Sequence, residues 1–154
     1  MAKKRVRINS KNDLESCLSN LKSQTYRLNQ VTDSVNQTFD LTENYLADCS
    51  IGLSVAAECD LELENTESDY DMFIEYIKYQ GKFRIVLTSC YQGDYDNGSS
   101  VPWEELGRTK KLKLVKALPK LLNKLADEVQ ILLSDISDAE EAVVEVNKLI
   151  KGGF

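Results

Sequence analysis

The chain has 154 residues, 42% of them hydrophobic and 29% charged, with a net charge of −6 and no histidine. That length suits one domain, 1–154, able to bury a core, and the composition argues against wholesale disorder. Without histidine, no Ser-His-Asp or Cys-His nucleophile system and no histidine general base can be built.

Residues 1–9 form a basic N-terminus, read as a flexible, solubilising arm. Ser10 then opens a capping box with Asp13. From Leu14 an apolar stripe recurs at alternating spacings of four and three, through Leu18, Leu21, Leu28 and Val35 to Phe39, Leu46 and Cys49. This heptad-like pattern predicts a helix over 10–48, continuous or broken. A continuous helix of that length reaches roughly 60 Å, whereas a globule of this size measures about 40 Å across. Either the helix breaks near Phe39 to Thr42, or it overhangs and packs on another subunit.

After Gly52 the period changes to two. Ile51, Leu53, Val55, Ala57, Cys59, Leu61 and Leu63 alternate with polar or acidic residues, which predicts a long strand with one wet face. Residues 58–71 carry Glu58, Asp60, Glu62, Glu64, Glu67, Asp69 and Asp71 and no basic residue. A solvated strand face accounts for most of them, with Lys78, Lys82 and Arg84 expected to offset the charge from neighbouring strands. Residues 71–90 read as a hairpin turning at Gln80-Gly81.

The stretch 92–102 reads as a loop. Pro102 is expected to open a short helical turn through Trp103 to Glu105. A helical part follows over 102–151, divided or kinked at Pro119, with Ser137 and Glu140 as a second capping box before the last helix.

Four further patterns point away from chemistry. Phosphate loops and nucleophile elbows have no counterpart, since GxxxxGK[ST], GxGxxG and GxSxG do not occur. Asp94, Asp96 and Glu105 match an EF-hand loop in part, but Gly98 falls one place early and Pro102 occupies the ninth position. They are the best carboxylates for a metal-dependent minority case. Cys17, Cys49, Cys59 and Cys90 lie far apart with no CxxC pair, so zinc is not expected; free thiols suit a reducing compartment. No apolar run approaches the roughly 18 residues of a membrane span, and no apolar stretch follows "MAKKRVR", so the expected location is cytoplasmic.

Charge is distributed in blocks. Residues 1–30 carry seven basic and two acidic groups, 31–75 twelve acidic and no basic. Residues 76–124 carry ten basic and four acidic, and 125–154 two basic and seven acidic. Blocks of this length give faces of opposite sign, within a chain or between subunits. The basic stretch 108–124 lacks interleaved aromatics for stacking on bases, so it reads as a face complementary to the acidic one, not a nucleic-acid surface.

These patterns predict an α+β fold: a long N-terminal helix, an antiparallel sheet of three or more strands within about 51–90, and C-terminal helices packed on one sheet face. The expected function is a non-catalytic oligomeric interaction protein, an adaptor or regulator without a cofactor. Leu14, Leu18, Leu21, Leu28 and Val35 would form the seam of a homo-oligomer, a dimer being favoured. Tyr91, Tyr95 and Trp103 would anchor a protein partner. The alternatives are an inhibitor whose acidic face imitates nucleic-acid phosphates, and a small-molecule-binding oligomer or carboxylate-metal enzyme.

Overall fold

One helix, α1, runs unbroken over Lys11–Cys49. Its 39 residues extend about 58 Å. The computed structural model describes residues 10–60 and 70–153 of the chain. The side chain of Ser10 accepts the Asp13 N–H at 3.2 Å, which satisfies one of the unpaired donors of the first turn. At the other end Ser50 turns into the left-handed region at φ 51° and stops the helix.

The expected break near Phe39 to Thr42 does not occur. The Thr38 and Thr42 hydroxyls donate to the carbonyls of Ser34 and Thr38, so these weak helix formers bond within the helix instead of competing with it. Phe39, between them, is fully buried and pins the helix to the core at the place where a break was expected.

Four strands follow in the order β1-β2-β3-β4, all antiparallel: β1 at Val55–Glu58, β2 at Tyr70–Tyr79, β3 at Lys82–Tyr91 and β4 at Ser99–Pro102. The β2–β3 turn is the predicted one. Gln80 and Gly81 both take positive φ, 48° and 92°, as the favoured two-residue hairpin turn requires. Two sheet expectations need correction. The alternation from Ile51 becomes a strand only from Val55, because Gly52 takes φ 64°. The loop read over 92–102 holds β4, a four-residue strand pairing with Val86 to Ser89.

The register assembles the core by cross-strand pairing. Val55 lies opposite Tyr76, Ala57 opposite Ile74, Ile74 opposite Leu87 and Tyr76 opposite Ile85. These residues share one sheet face, and they are buried. Against that face pack Val35, Phe39 and Leu46 of α1, and Leu118, Leu121 and Leu125 of the helix α3, Leu118–Ser134. The chain reaches α3 through a 3-10 turn at Trp103–Glu105, the short helix α2 at Arg108–Leu114, and a second 3-10 turn at Val115–Ala117. Pro119 falls in the first turn of α3, where its missing N–H costs nothing, so it divides the helical stretch and does not kink it.

The last helix, α4, spans Ile136–Lys151. The capping box expected at Ser137 and Glu140 is not formed. Asp135, the residue joining α3 to α4, has helical torsions (φ −91°, ψ −6°), and no side chain caps α4. A cap needs extended backbone at the junction. Here the chain passes from one helix to the next with a single helical residue between them.

Candidate functional site

The two long helical units extend well past the core. From Lys11 to Val31 every residue of α1 is exposed, and the first buried side chain is Val35. Of the five seam residues, Leu14, Leu18, Leu21 and Leu28 face solvent, at 45%, 55%, 56% and 38% exposure. Val35 does not join them. It is 7% exposed and belongs to the core, because the stripe passes under the sheet at that turn.

A second stripe, legible in the sequence as two helical faces with Ala139, Val143, Val146, Leu149 and Ile150 expected inward, runs through α3 and α4. Leu118, Leu122, Leu125, Val129 and Leu132 continue into Ile136, Ala139, Val143, Val146 and Ile150 with unbroken spacings of four and three. Asp135 alone joins the two halves, with right-handed torsions of φ −91° and ψ −6°. Leu118 and Leu125 are buried, Val129 is half-buried, and from Leu132 onward the stripe is exposed. No residue of α4 is buried. The two stripes meet inside the chain at an apolar groove of about 630 Å³, where Thr42, Tyr45 and Leu46 face Leu122, Leu125 and Val129.

The aromatic anchors divide. Tyr91 and Tyr95 are exposed. Tyr91 meets Tyr70 edge-on with ring centroids 5.4 Å apart, a contact set by the β2–β3 register that pairs these two residues. The Tyr95 hydroxyl donates to Asp71 Oδ2 at 2.9 Å, and its ring lies 6.3 Å from Phe73. That bond to a carboxylate, with its charge, raises the pKa of Tyr95 above the ordinary tyrosine value. Tyr70 was not among the expected anchors. The hairpin register at Gln80-Gly81 was the signal for it, since counting outward from the turn sets Tyr70 against Tyr91.

Trp103 is not an exposed anchor. It is 5% exposed and stacks on Phe39 at 5.2 Å with a 17° interplanar angle. Lys111 Nζ sits 5.3 Å from the centre of its ring, and its indole N–H has no hydrogen-bond partner. A loop residue in sequence is thus the lid of the core in the fold.

Of the acidic stretch, Glu58 and Asp60 are exposed, while Asp71 is half-buried and engaged by Tyr95. Glu62, Glu64, Glu67 and Asp69 lie outside the described residues. Among the described residues the offset expected from Lys78, Lys82 and Arg84 is not seen. In the register, Ala56 faces Glu75 and Glu58 faces Phe73, whereas the three basic residues lie toward the hairpin turn. Arg84 pairs instead with Glu43 and Glu104. The basic face of α3 does meet β1, but through its backbone: Lys124 and Lys120 donate to the carbonyls of Ala56 and Glu58, at 2.8 and 3.5 Å. Lysines on an otherwise open strand edge discourage pairing with another sheet.

Among the described residues no three Cys, Asp or Glu side chains gather as metal ligands. Asn97 Nδ2 donates to both carboxylate oxygens of Asp94, at 3.0 and 3.1 Å, a local polar turn. Asp96 lies in the following 3-10 turn and Glu105 in the next one, beyond β4. Cys17 and Cys49 are exposed, while Cys59 and Cys90 are buried. Burial, and then the neighbouring Asp60, push the Cys59 thiol up to about 11, and burial raises Cys90 as well. Both are poor nucleophiles near neutral pH, since the thiolate is the reactive form.

No described helix is long and apolar enough to cross a membrane. No family model, curated protein or solved structure matches the chain.

Proposed function

We propose that the chain is a non-catalytic interaction protein, a homo-oligomeric adaptor or regulator. It assembles through its projecting helices and offers the Tyr70, Tyr91 and Tyr95 patch to a protein partner. The observation that carries this is the pair of heptad stripes, which leave Leu14 to Leu28 of α1 and all of α4 outside the core. Helices in proteins take most of their stability from packing an apolar face, and seams of this spacing are stabilised by packing against another helix. The free thiols suit a reducing, cytoplasmic setting.

Light scattering tests the assembly. The expected mass at micromolar concentration is at least twice that of one chain, and a single-chain mass throughout that range contradicts it.

The partner surface has its own test. Two exposed rings paired across β2 and β3, with Tyr95 in the 3-10 turn just beyond β3, offer a large amphipathic area, the kind of side chain that dominates interface energetics. A Tyr91→Ala/Tyr95→Ala chain is therefore expected to retain its oligomeric mass but to lose at least tenfold in capture of the partner found by pull-down with the native chain. Equal capture by both chains places the partner surface elsewhere.

A further inference from the structure

The core takes hold of α1 at a definite place. Arg108 Nη2 of α2 donates to Asn29 Oδ1 at 2.9 Å, and Lys111 Nζ donates to Asn36 Oδ1 at 3.0 Å. Before that point, from Lys11 to Leu28, every residue is exposed. We infer that this stretch packs antiparallel on the same stretch of a second copy, about a two-fold axis midway between Leu18 and Leu21, with Glu15 of each copy beside Lys22 of the other. This rests on the oligomeric reading above and specifies its orientation and register.

The seam runs through Lys11, Leu14, Leu18, Leu21, Thr25 and Leu28 at spacings of three and four. One flank of it holds the residues that follow Leu14, Leu21 and Leu28, which are Glu15, Lys22 and Asn29. The other flank holds Ser10, Cys17, Gln24 and Val31, none of them charged. Asp13 and Arg27 lie on the side of the helix away from the seam. Flanking charges set the orientation and register of paired helices, and here Glu15 and Lys22 are the two that do so.

In a parallel pair each flank meets the opposite flank of its partner. Glu15 and Lys22 would then stand against Ser10 and Cys17, and no ion pair forms. In an antiparallel pair like flank meets like flank, and registers one heptad apart give three pairings of these residues: Glu15 with Glu15, Glu15 with Lys22, or Lys22 with Lys22. Only the middle register brings opposite signs together, and its two-fold symmetry makes the pair twice.

Length selects the same register independently. It sets Lys11 level with Leu28 of the second copy, Leu14 with Thr25, and Leu18 with Leu21. The shared stretch is then Lys11 to Leu28, about 26 Å, which is all of the exposed seam up to Asn29. Sliding the second helix seven residues toward the core would carry it past the Asn29–Arg108 bond and onto α2. Sliding it the other way would leave Thr25 and Leu28 uncovered in both copies. Lys11, at each end of the seam, can lay its aliphatic stem across Leu28 and keep its ammonium in water.

Charge exchange on the full chain tests this, because Glu15 and Lys22 are both exposed and lie outside the core. Glu15→Lys is expected to weaken self-association at least fivefold at low ionic strength, and Lys22→Glu to do the same, since each turns both ion pairs into repulsions. The loss shrinks as salt is raised. The double variant Glu15→Lys/Lys22→Glu recovers the native dissociation constant within about threefold, because the signs are exchanged across the contact. Mixing the two single variants also restores association, a recovery that a folding defect in either one cannot produce. A parallel pair predicts that neither single variant differs from the native chain. Packing of this stretch on α4 or on an unrelated protein predicts that neither the double variant nor the mixture recovers. Either result overturns the antiparallel contact while leaving an oligomeric native chain standing. A native chain that is monomeric at micromolar concentration overturns both.

Discussion

Phe39→Ala is expected to lower the stability of the folded chain by about 3–5 kcal/mol, the range for deleting a large aromatic side chain from a close-packed core. Phe39 is fully buried, stacks on Trp103 at 5.2 Å, and sits where α1 crosses the sheet. Its loss removes apolar burial and leaves the Trp103 ring without its stacking partner. The indole N–H of Trp103 already lacks a hydrogen bond, so its burial rests on ring packing and the Lys111 ammonium over its face. The chain has a single tryptophan, so urea unfolding followed by Trp103 fluorescence reads this region directly. Native and variant chains are compared at the same protomer concentration, because association adds to apparent stability. A loss below about 1 kcal/mol would mean that α1 is held to the sheet by something other than this contact.

Glu43→Ala is the second large effect, at about 2–3 kcal/mol, and its origin is polar. β4 stops pairing with β3 at Val86 and Pro102. Ile85, the next residue of β3, donates its backbone N–H at 2.7 Å to Glu43 Oε1 of α1. The same oxygen accepts from Arg84 Nε at 3.2 Å, with both side chains little exposed, at 12% and 13%. A helix carboxylate thus takes over the edge of the sheet where the strand ends. Alanine would leave a backbone donor unpaired and the guanidinium dependent on Glu104 alone, which is more exposed. Glu43→Gln is expected to lose roughly half as much, since an amide oxygen still accepts from Ile85 but without the charge that strengthens the bond. Equal losses in the two variants would show that the charge, and not the backbone bond, carries the contact. Because Phe39 and Glu43 stand one helical turn apart on α1, the two variants together measure how that turn is fastened to the sheet.

Both effects act on the half of α1 that is inside the molecule, and the proposed assembly acts on the half that is outside. Variants at Lys22 or Leu18 should therefore change association without changing the core, and variants at Phe39 the reverse. This separation follows from the length of the helix: about 58 Å of rod cannot lie within a globule about 40 Å across.

The sequence by itself determined the α+β class, the helical period from Leu14 to Cys49, the change to a two-residue period around Gly52, and the hairpin at Gln80-Gly81. Each is a local matter, set by which residues share a face and by which turn a pair such as Gln-Gly accepts. Side-chain period also held the second heptad stripe, from Leu118 to Ile150, but Ser137 and Glu140 imitate a helix start and hid its continuity. Only the torsions of Asp135 showed that the chain does not stop there. What the tertiary structure alone decided is what each face meets. Val35 and Leu28 occupy the same stripe, yet one is under the sheet and the other in water, because the core ends between them. Trp103 reads as a loop aromatic and becomes the lid on Phe39, because β4 brings the chain back across α1. β4 itself, Ser-Ser-Val-Pro, has too little alternation to be recognised and exists because β3 offers it an edge. Arg84 could have answered any of the acidic residues near it in sequence, and it pairs with one on a helix 41 positions away. A periodic pattern records a shared face but carries no information about distant contacts. Those depend on where each element begins and ends against its neighbours, and that is settled only when the whole chain packs.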